Sequence, residues 1–129
     1  MKCIRMWRRI MVKNILLVAL GGAVGSACRY LVTRVVDITA FPIATLAVNL
    51  LGCLLVGFLV GIMDRNFMPQ QFKLLLISGF CGGFTTFSTF ANESFAMMKA
   101  GDLLLSGLYI GVSVIFGILA VWFGLQLAK

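Results

Sequence analysis

Few side chains in this sequence can do chemistry, and most of those that can lie inside apolar runs. Hydroxyls stand at Thr86, Ser88, Thr89, Tyr109 and Ser113, an amide at Asn49, a cation at Arg29 and an acid at Glu93. Apart from Glu93, these groups offer hydrogen-bond donors. Phe87 and Phe90, three residues apart, add aromatic rings whose edges carry partial positive charge. Donors and ring edges without a ring of lysines suit a small, strongly hydrated anion. Each donor replaces part of the ion's water shell, and a narrow bore excludes larger ions. Plain packing is the competing reading for phenylalanines at this spacing.

The individual residues leave alternatives open. Arg29, four residues after Gly25 and eight after Gly21, shares their helix face. An arginine at the centre of a span costs roughly 2.5–3.5 kcal/mol, so it either snorkels to the interface, helped by Arg34, or is a fixed interior charge that anchors loops or attracts an anion. Asn49 begins a stripe with Cys53, Gly57 and Gly61 at four-residue steps; it is either a pore group or an interhelical hydrogen bond. Thr86, Thr89, Phe90 and Glu93 recur at three- and four-residue steps and should share a face. Glu93 is either a functional acid or a structural partner of Arg29 or of backbone donors. Tyr109, Ser113 and Gly117 form another small face.

The elements that must hold these groups are membrane spans. The chain is 61% hydrophobic, with mean hydropathy +1.07 and only 12% charged residues. Soluble domains are about 45–50% apolar and about 25% charged. The reading is an all-α membrane protein with four transmembrane helices, about 14–33, 43–63, 72–98 and 103–127, after a basic segment 1–13. That apolar first run is too long for a signal-peptide core and has no clear cleavage site, so it reads as a retained span. Nothing remains for a soluble domain. Three glycines in the five residues Gly79–Gly83 should break the third span near its middle. Irregular backbone at membrane depth is tolerated only where it is packed in protein or lines a watery cavity. The net charge of +7 is no nucleic-acid signal, because five of the eleven basic residues fall in the first thirteen positions. Cys3, Cys28, Cys53 and Cys81 have no paired spacing, and there is no histidine, so the usual zinc sites are not expected. No nucleophile–base pair or phosphate loop supports an enzyme.

The segment Gly79–Phe90, GFCGGFTTFSTF, closely resembles the signature of the Fluc (CrcB-like) fluoride channels. GGAVGSACRY in the first span and ATLAVNLLG in the second match that family in the same order. The resemblance covers nearly the whole chain. It implies a passive, selective fluoride channel in the cell membrane, a lipid-embedded antiparallel dual-topology homodimer with two pores, which relieves fluoride toxicity in the cytoplasm. By that pattern Phe87 and Phe90 are the pore phenylalanines and Asn49 the pore amide, while Ser88, Thr89, Tyr109 and Ser113 line the polar track. The carbonyls of Gly82 and Thr85 hold a structural Na+ at the dimer centre, and Arg29 and Glu93 match the family's first-span arginine and third-span acid. Gly117 stands where some members have serine. Two rival functions belong to other classes: a proton-coupled four-span exporter using Glu93, and a non-transporting packing subunit.

Charge bears on orientation. With four spans, the side of the termini carries Lys2, Arg5, Arg8, Arg9, Lys13, Arg65, Lys73 and Lys129, eight basic residues against two, Arg34 and Lys99, on the other. Such a bias fixes one orientation, in conflict with dual topology. Counted from Met11 the balance becomes four against two. The expectation is that Met1–Ile10 is an upstream extension not essential to a channel.

Overall fold

The computed structural model describes residues 2–36, 41–66 and 68–129, with no side chain described for Lys2, Cys3 or Asn66; Asp37 of the first connection lies outside these residues. Four helical spans, Ile4–Val36, Ile43–Arg65, Gln70–Lys99 and Leu103–Leu127, are long and apolar enough to cross a membrane. The protein is a multi-pass membrane protein. The first helix is longer than the expected span, running Lys2–Val36. Its basic start contains no glycine or proline, and arginine, methionine and lysine are good helix formers, so nothing interrupts it before the apolar run. The second helix, Ile43–Asn66, follows Pro42, whose carbonyl accepts the Leu46 N–H at 3.1 Å. The fourth, Leu103–Leu127, has the expected bounds. A tight turn precedes it: Gly101 lies at φ 91° while its N–H and that of Asp102 donate to the Met98 and Met97 carbonyls. That left-handed position is where a helix end takes glycine without strain.

The third span is broken near its middle, as expected, but not at the glycine cluster. Residues 70–84 stay helical, with a π-helical stretch Lys73–Cys81. The break falls at Thr85 and Thr86, which are extended at φ −78°, ψ 157° and φ −148°, ψ 110°. Helix resumes over Phe87–Lys99. The glycines serve contact instead. A Cβ on Gly21 would overlap the Leu75 carbonyl, one on Gly25 the Phe80 carbonyl, and one on Gly83 the Gly22 carbonyl. The first helix and the first half of the third therefore touch backbone to backbone, an approach that only residues without side chains permit.

The second and fourth helices pair in the same manner. A Cβ on Gly57 would strike the Val121 carbonyl, and one on Gly124 the Leu54 carbonyl. Partner numbers rise together in both pairs, Gly21 by Leu75 and Gly25 by Phe80, Gly57 by Val121 and Gly61 by Leu125, so each pair is parallel. The bundle is thus two glycine-zipped parallel pairs. The second half of the third span packs against the fourth helix, where the Ser106 hydroxyl donates to the Ser94 carbonyl at 2.9 Å and the Ser94 hydroxyl to the Phe90 carbonyl at 2.8 Å. Arg65 donates to the Lys129 carbonyl at 2.6 Å, which joins the second connection to the carboxyl terminus at one end of the bundle.

Candidate ion-conducting site

The break in the third span is built around one side chain of the second. Asn49 Oδ1 accepts the Thr86 N–H at 2.8 Å, and Asn49 Nδ2 donates to the Thr86 carbonyl at 3.1 Å. The amide of Asn49 thus substitutes for the helical partners that Thr86 gave up, and the interhelical reading of this residue is realised. Thr86 also caps the resumed helix: its hydroxyl oxygen accepts the Thr89 N–H at 3.3 Å. The same hydroxyl donates to Thr89 Oγ1 at 2.9 Å and lies 3.4 Å from the Ser88 hydroxyl. Thr85 turns its N–H and its hydroxyl to one acceptor, the Cys81 carbonyl, both at 2.9 Å.

This arrangement changes the accounting of the backbone. In a continuous helix the Thr86 N–H would reach the Gly82 carbonyl and the Thr89 N–H the Thr85 carbonyl. Asn49 takes the first donor and the Thr86 side chain the second. The Gly82 and Thr85 carbonyls therefore lose their helical donors, and Gly82 is exposed.

A second cluster lies one to two turns further along the resumed helix. Glu93 Oε1 accepts the Thr45 hydroxyl at 2.7 Å, and Oε2 accepts the Tyr109 hydroxyl at 2.9 Å. Thr45 and Tyr109 are both buried, so the carboxylate is held by two fixed donors from the second and fourth helices. Tyr109 continues a ladder of rings. Its ring lies 5.2 Å from Phe90 and 5.5 Å from Phe41, the latter edge to face, and Phe90 lies 5.8 Å from Phe87. Phe87, 79% exposed, points away from the chain's own core.

Two cavities flank Thr86. One, of about 330 Å³, is lined by Arg29, Thr45, Thr86, Thr89 and Glu93 among others. Arg29 is half-buried there, and among the described residues it makes no ion pair with Glu93. The other, of about 290 Å³, is lined by Asn49, Cys53, Thr85, Thr86 and Phe87 with Val121. Ser113 stands apart from both clusters, one turn beyond Tyr109. Its buried hydroxyl oxygen has no hydrogen-bond partner among the described residues. The structure thus brings Asn49, Thr86, Ser88 and Thr89 together, and Phe87, Phe90, Glu93 and Tyr109 together. Thr45 was absent from the sequence reading. It stands four residues before Asn49 and extends that stripe by one step, a signal that was present.

Comparison with known proteins settles the family. Residues 16–125 match the family model described as CrcB-like protein, Camphor Resistance (CrcB). The chain belongs to the CrcB-like family. It is 44% identical over 121 residues to a protein of Flavobacterium psychrophilum named "Fluoride-specific ion channel FluC", covering 91% of this chain and 98% of that one. A protein of Chlorobium phaeobacteroides with the same name is 45% identical over 118 residues, 89% of this chain and 92% of its own. The "Fluoride-specific ion channel FluC 2" of Rhodococcus jostii is 46% identical over 117 residues, 90% of this chain and 99% of its own. The CrcB-like match begins at Leu16. It takes in every side chain of the two clusters and leaves out the basic residues before it.

Proposed function

We propose that this CrcB-like protein is a passive, selective fluoride channel that lets fluoride leave the cytoplasm and so relieves its toxicity. The observation that carries the reading is the break at Thr85–Thr86, where hydroxyls and ring edges meet beside two cavities within membrane-spanning helices. Its closest functional support is that relatives matched over nearly their whole length are named fluoride-specific channels. Nothing favours the exporter reading.

In this reading an anion passes the edges of Phe87 and Phe90 and exchanges water for the hydroxyls of Ser88 and Thr89. Thr89 suits this role because it accepts from Thr86 and gives its own proton to no acceptor among the described residues. Ser113, whose buried hydroxyl has no partner among the described residues, is a further donor along the track. Asn49 acts by pinning the broken backbone, with one amide hydrogen left for the ion. Tyr109 spends its hydroxyl on Glu93 and so contributes its ring more than its proton. Arg29, lining the larger cavity, raises the local concentration of anions at its mouth.

The working unit in this proposal is an antiparallel homodimer. Phe87 and Gly82 are exposed on the single chain, and Gly107 and Gly111 oppose nothing among the described residues. An inverted partner would cover these surfaces and complete the walls of two paths. The Gly82 and Thr85 carbonyls, deprived of helical donors, fit a hard monovalent cation, and two chains would offer four such oxygens. A structural Na+ there supplies positive charge that holds the two breaks together.

The test is fluoride efflux from liposomes holding the purified protein. Rapid efflux that follows the membrane potential, with chloride retained, is the expected result. Efflux driven only by a proton gradient, or no efflux, would reject the channel.

A further inference from the structure

The first helix is too long for its task as a membrane span. Its 35 residues extend about 52 Å at 1.5 Å per residue, against a hydrocarbon core of about 30 Å. The excess lies at the amino end. Gly21 is level with Leu75–Phe80 of the parallel third span, so residues before Asn14 project past the start of that span at Gln70. Every residue from Ile4 to Lys13 is exposed, and Asn14 is the first that is not. The segment is carried by its continuity with the span, and whatever its side chains meet lies outside the chain's own bundle.

The side chains say what that is. At about 100° per residue, Arg5, Arg8, Arg9 and Lys13 fall on one half of the helix. Gly21 and Gly25, which press on the third span, fall on the other. The cations therefore face outward from the bundle. Arg5, Arg8, Arg9 and Lys13 line a shallow concavity of about 430 Å³ whose floor is Val12 and Leu16. Below it Val12, Leu16 and Leu20 continue the same outward stripe at four-residue steps, all more than half exposed. Depth agrees with this order. If the span proper begins at Asn14, Lys13 and Arg9 lie in the headgroup layer, which adds about 5–8 Å on each side of the hydrocarbon, and Arg8 stands at its outer edge, about 9 Å up. Arg5, slightly further out, can reach back on its long side chain.

We propose that this face binds an anionic phospholipid of the leaflet on the amino-terminal side. Its phosphate sits among Arg5, Arg8, Arg9 and Lys13, and an acyl chain lies along Val12, Leu16 and Leu20. Guanidinium groups match phosphate oxygens two at a time, and the apolar stripe directly below them matches a tail and not a free anion. The four cations precede the family match, which begins at Leu16, and the site does not rest on the proposed transport activity.

Native mass spectrometry of the purified full chain tests this, with phosphatidylglycerol and phosphatidylcholine of identical acyl chains supplied together. Phosphatidylglycerol should be retained at least about tenfold better, since each basic residue near an anionic lipid surface contributes roughly a fivefold preference. Arg5→Gln, Arg8→Gln, Arg9→Gln and Lys13→Gln combined should abolish that preference, whereas Arg8→Lys with Arg9→Lys should keep most of it. A chain starting at Met11 should also lose it, a second reading if the fourfold variant does not fold. Equal retention of the two lipids by the wild type would overturn the proposal. So would an undiminished preference in both the fourfold variant and the shortened chain, or displacement of the lipid by millimolar inorganic phosphate, the mark of a free-anion site.

Discussion

Thr86 is the residue on which the site turns, because each of its polar groups has a separate task. Its N–H and carbonyl go to Asn49, and its hydroxyl caps the helix that follows. Asn49→Leu keeps similar volume but leaves both Thr86 backbone groups unpaired. A buried polar group without a partner costs roughly 1–3 kcal/mol, so this variant should unfold at markedly lower temperature in detergent. An unchanged melting temperature would mean that the clamp is dispensable. Glu93 depends on two donors in the same way. Thr45→Val and Tyr109→Phe each remove one, and each should destabilise the fold by about 1–3 kcal/mol, the range for leaving a buried polar group without its partner. Combined, the two losses should not add, because the donors share one carboxylate; simple additivity in a thermal double-mutant cycle would show them to be independent. For transport, Phe87→Ile and Phe90→Ile should each lower fluoride efflux by about fivefold, given roughly 1 kcal/mol for an aromatic contact of this kind. Efflux at the wild-type rate in either variant would reduce that ring to packing.

At the scale of elements, glycine decides which helices touch. Gly25 and Gly83 meet backbone across the first and third spans, whereas Gly107 and Gly111 on the fourth helix meet nothing among the described residues. Gly25→Ala or Gly83→Ala must push two backbones apart and should cost at least as much as overpacking a core, about 1–3 kcal/mol. Gly107→Ala should leave the fold of the single chain intact. If it impairs only assembly, measured by cross-linking in membranes, then that face meets a second copy. Equal tolerance of alanine at all of these positions would contradict the backbone contacts described above. The break itself follows from an element-level competition. The first half of the third span is held against the first helix by its glycines and the second half against the fourth by Ser94 and Ser106. Asn49 offers the intervening Thr86 an alternative set of hydrogen bonds, so the helix gives way between the two anchorages.

For the whole molecule, the open question is how it sits in the bilayer. Arg65 bonds the carboxyl-terminal carbonyl, and Lys73 lies 3.7 Å from Asp64, so these basic residues do share one end of the bundle. With the helical extension above the first span, that end carries eight basic residues against two at the other. The bias should favour an amino terminus in the cytoplasm for the full chain, leaving only a minority of inverted copies to complete the proposed antiparallel dimer. A chain starting at Met11, four against two, should insert in both orientations and retain full fluoride efflux. Terminal topology reporters on the two forms would check this. One orientation for both forms, or loss of efflux from the shorter one, would refute the charge-balance account.

The sequence by itself determined the membrane class and the number of spans, and it singled out the polar and aromatic residues proposed to line the path. Hydropathy averaged over twenty residues needs no knowledge of neighbours, and a motif such as GFCGGFTTFSTF is local. The tertiary structure decided the rest. From sequence, Gly79–Gly83 looked like the break, because glycine weakens an isolated helix. In the bundle Gly79 and Gly83 are where the first helix leans, and contact with it outweighs their low propensity. The break moved to Thr85–Thr86, since only there does a side chain of the second helix replace the lost backbone bonds. Glu93 could be recognised as an acid out of place, but its partners lie 48 and 16 residues away in the chain, and no local pattern ties them to it. The basic start was legible as charge. That its cations share one outward face above an apolar stripe became visible only once the first helix proved continuous from Lys2 and its packing face was fixed by Gly21 and Gly25.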